Sequence, residues 1–368
     1  MATDIIKKFR AKIDQIDAKI IRLLNERAGV ALKIGQAKKK GRLEAYAPDR
    51  EHQVLSNLNQ KNGGPFPVQA LRNVYREVIS ACRSLQSPMQ VAYLGPEATF
   101  THNATMKHFG QSTRMLPETT ISAVFEAVES EECNYGIVPI ENSTEGVVTS
   151  TMDRLIESPL KICGEVLLEI NHCLLGRKKS ITPSQIYSHP QAMAQCRAWL
   201  ERHYPNVALT PVDSTAHAAQ LASDDDHAYA IGSELAAKHY SLKLLVGHIE
   251  DHPNNMTRFL VLGTLSPKRT GHDKTSLVFA VKDEPGILFK MLDPFQKAGI
   301  NLSKIESRPM VRLDASKAKT RRNADRFEYA FFIDLDGHIQ SKKVKEAVRQ
   351  LERKCHFLKV LGSYPRGK

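Results

Sequence analysis

Three stretches of this 368-residue chain concentrate side chains able to hold an organic anion. In the first, Arg27 interrupts an apolar stripe of Phe9, Ile13, Ile16, Ile20, Leu23, Val30 and Ile34. Alternating steps of four and three residues mark an apolar seam along a helix. A guanidinium in such a seam is costly unless an anion meets it. Lys38 follows 11 residues after Arg27, about three turns, so both project to one side of the helix. Arg10 stands nearer the start; Arg50 and Glu51 follow the break at Pro48, and a later helical stretch, "VQALRNVYREVISACRSLQ", brings Gln86. Two readings fit: a structural salt bridge from Arg27 to an acid such as Glu26 or Asp17 across the seam, or a small dianion lying among several cations.

The second stretch is "GIVPIENSTEGVV", residues 136–148. Its apolar start predicts a strand, after which Asn142, Ser143 and Thr144 stand where a helix ("TEGVVTSTMDRLIES") is predicted to begin. Side-chain oxygens and free backbone N–H groups there suit an anion, but taken alone the residues read first as an ordinary helix cap. Glu141 and Glu145 read as capping residues and not as a hydrolytic pair. The third stretch joins "EPGIL" (284–288) to "IESRP" (305–309). Gly286 lets backbone N–H groups approach a carboxylate, while Ile287, Leu288 and a predicted turn at Glu306, Ser307, Arg308 and Pro309 would close over an apolar side chain. Taken alone, Glu306 and Arg308 read as a surface pair and not as a ligand site.

The elements that must carry these residues follow from patterning. The first helix, from about residue 5 to 40, would run roughly 50 Å, too long for the next 50 residues to cover, so two chains are expected to share it. The middle of the chain alternates strands ("QVAYLG", "YGIVPIEN", "KICGEVLLEI", "AYAIGS") with helices, an α/β pattern whose ligands gather beyond the strand ends. The last part reads β-α-β-β-α-β, a ferredoxin-like split. Breaks at "SLQSPMQ" (84–90) and "GTLSPKRTGHDKT" (263–275) separate segments expected at 1–89, 90–265 and 274–368. The basic insert "RLDASKAKTRRNAD" (312–325) reads as a solvated loop.

Composition excludes several classes. The chain is 42% apolar with a formal net charge of +12. Residues 1–90 hold 17 basic against 8 acidic side chains, residues 91–265 hold 12 against 20, and residues 266–368 hold 23 against 12. Two basic segments flanking an acidic one argue against a single nucleic-acid-binding face, and no helix-turn-helix pattern stands out. The six cysteines form no C-x-x-C pair and no histidine cluster has metal-ligand spacing, so neither a metal nor a disulfide framework is expected. No Gly-rich phosphate loop points to a nucleotide cofactor. No apolar run approaches the roughly 20 residues of a membrane span, and the start lacks a signal-peptide core, so a cytoplasmic protein without a membrane partner is expected.

Resemblance adds to this reading. The stretch "FRAKIDQIDAKIIRLLNERAGVALKIGQAKK" followed by "PDRE" resembles the all-helical chorismate mutase family over residues 1–87. That resemblance implies a helix-swapped dimer whose site uses Arg10 from across the dimer with Arg27, Lys38, Arg50, Glu51 and Gln86, with Lys38 and Gln86 donating to the ether oxygen that breaks. Cys82 and Ala47 depart from a hydroxyl and an acid that some members carry. "GPEATFTH", "SHPQA", "DSTAHAA" and "NNMTRF" together resemble prephenate dehydratase over about residues 90–265. This implies a two-lobed, periplasmic-binding-protein-like fold with Thr257 as catalytic residue, Arg258 for a carboxylate, and Asn142, Ser143, Thr144, Ser188, Gln191 and Ser214 lining the cleft. "EPGIL" and "IESRP" resemble the ACT regulatory domain over about residues 275–366, implying L-phenylalanine bound between paired domains through Gly286, Ile287, Leu288, Glu306, Ser307, Arg308 and Pro309. In this order the three resemble the bifunctional chorismate mutase/prephenate dehydratase family of phenylalanine synthesis, which needs no cofactor. Two other readings are a non-enzymatic amino-acid-responsive regulator, and a monofunctional dehydratase with a helical dimerisation arm. The former lacks a DNA-reading element; in the latter Arg27 would gain stability by becoming leucine.

Overall fold

The computed structural model describes residues 2–41, 46–178, 182–282, 284–310 and 328–367. The basic insert at 312–325 lies outside the described residues. The chain divides into two compact units, Met1–Gln90 with Phe109–Arg114, and Val91–His108 with Met115–Lys368.

The first unit is helical. Helix α1 (Ala2–Lys40) has 39 residues, yet only Ala31 and Gly35 of them are buried. Its stripe is open to solvent: Phe9 is 61%, Ile13 55% and Leu23 57% exposed. Helix α2 (Pro48–Lys61) opens on a proline, whose fixed φ suits a first turn, with Asp49 and Glu51 beside the positive end of the helix dipole. Helix α3 (Val68–Gln86) buries Ile79, Ser80, Cys82 and Arg83. α1 and α3 cross closely at Gly35, where an added Cβ would stand 2.9 Å from the Cβ of Gln86.

The second unit holds three sheets. Strands β1 (Gln90–Leu94), β2 (Arg114–Glu118), β3 (Tyr135–Asn142), β4 (Gly146–Val147) and β5 (Lys161–Glu169) are followed by β6 (Cys173–Gly176), β7 (Gln185–Ser188), β8 (Ala208–Pro211), β9 (Ala228–Gly232), β10 (Lys243–Val246) and β11 (Met256–Gly263). The first sheet has the order β2-β1-β3-β11-β5 with β4 on β3, and the second β10-β6-β9-β7-β8. Helices α4 (Phe100–Phe109), α5 (Ile121–Glu129), α6 (Thr149–Glu157), α7 (Pro190–Gln195), α8 (Arg197–His203), α9 (Thr215–Asp224) and α10 (Glu234–His239) connect them. The chain enters the second sheet after β5 and returns as β11, which pairs antiparallel with β3 and β5. The third sheet follows the expected β-α-β-β-α-β order: β12 (Asp273–Val281), α11 (Ile287–Lys297), β13 (Leu302–Met310), β14 (Glu328–Asp336), α12 (Lys342–Glu352) and β15 (Phe357–Pro365), ordered β13-β14-β12-β15.

Two local expectations change. The helix predicted from Thr144 begins at Thr149, because β3 continues to Asn142 and turns back into β4. Glu306, Ser307, Arg308 and Pro309 form no turn; they are paired strand, with Glu306 opposite Phe332 and Arg308 opposite Ala330.

One apolar cluster crosses the break at 263–275. Val138, Ile140, Ile162 and Leu260 of the first sheet pack with Val278, Phe332, Leu361 and Tyr364 of the third. Lys359 fastens this face by donating to the carbonyls of Leu155, Ile156 and Ser158 at the negative end of α6. Gly362 is the tightest point: a Cβ there would meet the Ile162 carbonyl oxygen at 2.2 Å, and backbone cannot swing aside as a side chain can. Gly362→Ala is therefore expected to lower stability by about 1–3 kcal/mol or more. Denaturant unfolding of the full chain checks this, and an unchanged midpoint would mean the two sheets sit further apart.

Candidate functional site

In the first unit, Arg27, Lys38, Arg50, Glu51 and Gln86 line one cavity of about 420 Å³, together with Ala47, Cys82 and Arg83. Local geometry explains the gathering. Arg27 and Lys38 share a face of α1, the close crossing at Gly35 brings Gln86 alongside, and α2 supplies Arg50 and Glu51 from its first turn. Gln86 Oε1 is buried with no hydrogen-bond partner among the described residues. Arg27 forms no salt bridge with Glu26, which pairs with Arg22 at 3.4 Å; its Nη1 instead lies 3.5 Å from the Val78 carbonyl. Arg10 is exposed on α1 and does not line this cavity.

Arg83 is a cavity residue that sequence reasoning missed, although it stands one turn before Gln86 on α3. Buried to 4% exposure, it meets Glu51 Oε1 at 2.6 Å and donates to the Phe109 carbonyl at 2.5 Å. Its guanidinium also lies 5.4 Å from the ring centres of Tyr46 and Phe109. Burial pushes the Glu51 carboxyl above its ordinary pKa, opposed first by Arg83 and then by Lys38 and Arg27.

The second unit has a cavity of about 350 Å³, lined from both of its first two sheets. Asn142, Gln191, Ser214 and Thr257 line it as expected. Asn142 Nδ2 donates to Thr257 Oγ1 at 2.7 Å and to Asn255 Oδ1 at 2.7 Å, while its Oδ1 accepts from the backbone of Thr144 and Glu145. With a lone pair of Thr257 occupied in this way, the hydroxyl is left to donate its hydrogen to a ligand.

Gln195 is the hub that sequence reasoning overlooked. Its Oε1 lies 2.8 Å from His172 Nε2 and accepts from Asn255 Nδ2 at 3.0 Å, and its Nε2 donates to Glu145 Oε1 at 3.1 Å. The signal was present: Gln195 stands one helical turn beyond Gln191, and Asn255 stands two residues before Thr257, immediately ahead of β11. Burial lowers the pKa of His172 below its ordinary value, opposed by Gln195 and Glu250.

Other expected residues are placed elsewhere. Ser143 joins the end of β3 to the start of β11, accepting from the Met256 N–H at 2.9 Å. Thr144 is exposed and Ser188 is fully buried, its hydroxyl donating to the Ile231 carbonyl at 2.9 Å; none of the three lines the cavity. Ser214 caps α9, accepting from the His217 N–H. Glu145 does line the cavity, whereas Glu141 caps nothing and points to the third sheet.

Arg258 requires the largest correction. Successive strand residues face opposite ways, so Thr257 and Phe259 line the cavity and Arg258 faces the third sheet. It lies 2.9 Å from Glu141, 2.7 Å from Glu165 and 2.6 Å from Asp334, and donates to the Tyr364 hydroxyl at 2.9 Å. Lys274 joins Glu165 at 2.8 Å and Lys304 pairs with Glu141. Desolvation disfavours the arginine's charge, but Tyr364, Asp334, Glu165 and Glu141 more than offset it, and its pKa is raised.

The third sheet carries the remaining expectations. Gly286 has φ 75° and precedes α11, whose first residues are Ile287 and Leu288. On β13, side chains alternate: Arg308 forks onto Asp153 of α6, and so faces the first sheet with Glu306 and Lys304, while Ser307 and Pro309 take the other face. Arg308 is thus committed to Asp153. Among the described residues no group of His, Cys, Asp and Glu could hold a metal ion, and no helix is long and apolar enough to cross a membrane.

Comparison with known proteins matches residues 9–87 to the family Chorismate mutase type II, residues 91–267 to Prephenate dehydratase and residues 275–353 to ACT domain. A bifunctional chorismate mutase/prephenate dehydratase of Aquifex aeolicus is 47% identical over 366 residues, covering 98% of both chains. One of Pseudomonas aeruginosa is 40% identical over 370 residues, covering 99% of this chain and 98% of its own. Among solved structures, the prephenate dehydratase of Arthrobacter aurescens in complex with L-Phe is 36% identical, covers 76% of this chain and 90% of its own, and has a TM-score of 0.67.

Replacing Arg258 leaves buried carboxylates without their shared cation. Arg258→Met is expected to cost about 3–5 kcal/mol of unfolding free energy. Chemical denaturation measures it, and a cost below about 1 kcal/mol would class the cluster with solvated surface pairs.

Proposed function

We infer how this chain works from one premise: it belongs to the bifunctional chorismate mutase/prephenate dehydratase family. One polypeptide rearranges chorismate to prephenate and then converts prephenate to phenylpyruvate, under feedback by L-phenylalanine. The observation that carries the first half is the gathering of Arg27, Lys38, Arg50, Glu51 and Gln86 around one cavity.

A Claisen rearrangement is unimolecular and needs neither nucleophile nor proton transfer, so the protein acts by holding the reactive conformer and stabilising charge. Arg27 and Arg50 hold the two carboxylates of the substrate, Lys38 and Gln86 donate to the ether oxygen as its bond breaks, and Glu51 accepts from the substrate hydroxyl. Arg10 completes the site from a second chain. Support for the helix-swapped dimer comes from α1, whose apolar stripe from Phe9 through Ile13, Ile16 and Ile20 to Leu23 stays about half exposed or more.

In the second cavity, the bond from the ring to the carboxylate breaks as carbon dioxide leaves. Its electron pair enters the ring, and the hydroxyl departs from the opposite carbon as the ring becomes aromatic. Thr257 donates a hydrogen bond to that departing hydroxyl, since a neutral threonine is too weak an acid to surrender its proton outright. Its orientation by Asn142 supports this role. No lysine or arginine lines the cavity among the described residues, so the carboxylates meet the N-terminal ends of α4 and α9.

For the effector, L-phenylalanine lies between paired third sheets. Gly286, Ile287 and Leu288 form one wall, and Ser307 and Pro309 belong to the β13 face that is not tied to the dehydratase. The L-Phe held by the Arthrobacter relative supports this reading. Six free cysteines, five of them buried, fit a reducing cytoplasm.

Supplying chorismate to the purified full chain tests the whole. Arg27→Ala is expected to lower kcat/KM for chorismate by about a hundredfold or more, roughly 2.7 kcal/mol, while prephenate turnover stays within a few fold. Thr257→Ala should do the reverse and Thr257→Ser recover part of the loss; equal loss of both activities in a folded variant would overturn the assignment.

Arg83→Met tests the Glu51 role by pH. The Glu51 carboxyl is raised by burial and held down chiefly by Arg83, so removing that cation raises it further. Its ionised form is present above the pKa and lost as pH falls, so the acid limb of mutase kcat/KM is expected to move to higher pH. An unmoved limb would exclude ionised Glu51 from the mechanism.

A further inference from the structure

Two neighbouring strands each present one residue to the cavity and the next to the third sheet. On β11 these are Thr257 and Arg258; on β3 they are Asn142 and Glu141. The register sets them side by side, Thr257 opposite Asn142 and Arg258 opposite Glu141. On the cavity side, Asn142 donates to Thr257 at 2.7 Å. On the other side, Arg258 Nη1 donates to Glu141 at 2.9 Å. The strand pair therefore carries one cross-strand hydrogen bond on each face, separated by a single residue of extended backbone.

The far side of this pair belongs to the regulatory sheet. Lys304 of β13 pairs with Glu141, and Asp334 of β14 accepts from Arg258 at 2.6 Å. Lys304 lies on the same strand as Ser307 and Pro309, which the effector reading assigns to the phenylalanine wall. Arg258, Asp334 and Lys304 are largely sealed from water and Glu141 is half-buried between them, so solvent can absorb little of a displacement of β13 by an ångström. It either breaks an ion pair or moves the strand pair that holds Thr257.

We propose that Glu141 and Arg258 are positioning residues for the Thr257 hydroxyl, and that Lys304 of the regulatory sheet acts on the dehydratase reaction through them. The proposal rests on the reading of Thr257 as the hydroxyl-directed donor and of the third sheet as the phenylalanine sensor. It goes further by naming the contact through which the two communicate. Such a contact must differ between the inhibited and active arrangements, since a ligand shifts an equilibrium only through differential interaction.

The test measures prephenate kcat/KM with and without saturating L-phenylalanine in the full chain, beside calorimetric binding of L-phenylalanine. Lys304→Met is expected to shrink the inhibition ratio at least about tenfold while binding stays within about threefold, and Lys304→Arg to restore inhibition. Glu141→Gln, which keeps the shape and removes the charge, is expected to lower prephenate kcat about tenfold with KM within about twofold. A Lys304→Met enzyme that remains as inhibitable as the parent overturns the proposal. So does a Glu141→Gln enzyme that melts earlier but keeps its kcat, because a merely structural residue behaves that way. Failure of the parent chain to bind or respond to L-phenylalanine would remove the effector reading instead, and the kcat of Glu141→Gln would still decide the positioning role.

Discussion

A guanidinium sealed from water must have its charge met on the spot, and Arg258 sets that demand where two sheets face each other. Arg258, Lys274 and Lys304 are answered by Glu141, Glu165 and Asp334, with the Tyr364 hydroxyl accepting a further bond. Such a cluster contributes little net stability over apolar packing of equal volume, since desolvation offsets most of the Coulomb attraction. What it supplies is a penalty on misalignment: sliding the third sheet on the first would leave buried charges without their partners. The apolar cluster around Val138, Leu260, Phe332 and Tyr364 provides the attraction, and the ions select its geometry. Because strand residues alternate, the same register that pairs Arg258 with Glu141 turns Thr257 and Asn142 into the cavity.

The two cavities are lined differently: Arg27, Lys38, Arg50 and Arg83 line the first, and no lysine or arginine among the described residues lines the second, a contrast that suits the chemistry of each step. Both carboxylates persist through the rearrangement, so in the proposed roles Arg27 and Arg50 can clamp them without opposing the reaction. In the dehydration one carboxylate loses its charge as carbon dioxide departs. A lysine or arginine fixed on it would favour the bound substrate over the transition state and slow the step. Beside the side chains of Glu145, Asp213, His172 and His189, the second cavity offers amides, hydroxyls and helix ends, linked from Thr257 through Asn142 and Asn255 to Gln195.

Helix α1 poses a different requirement. Its exposed stripe of Phe9, Ile13, Ile16 and Leu23 is too large to leave in water, and Arg10 lies along it. Covering the stripe with a second copy would bury it and deliver Arg10 at once. The proposed dimer would thus tie stability and the completion of the first site to one assembly.

What was legible in the sequence was local. The stripe on α1, the offset of 11 residues between Arg27 and Lys38 and the β-α-β-β-α-β order all depend on backbone periodicity, which neighbouring residues set for themselves. Resemblance added Thr257, Asn142, Gln191 and Ser214, and all four line the second cavity. Facing and pairing were not legible. Whether Arg258 served a ligand or an internal carboxylate depended on which side of β11 met the third sheet, and Glu165, Asp334 and Tyr364 come from strands far along the chain. The supposed turn at Glu306 to Pro309 became strand because β14 offered it a ladder. Arg83 was anonymous among the bases of α3 until α2 brought Glu51 against it. Residue types and spacing determined which elements form and which groups they carry; long-range packing decided which way each group points, because only a partner surface can distinguish the two faces of a strand.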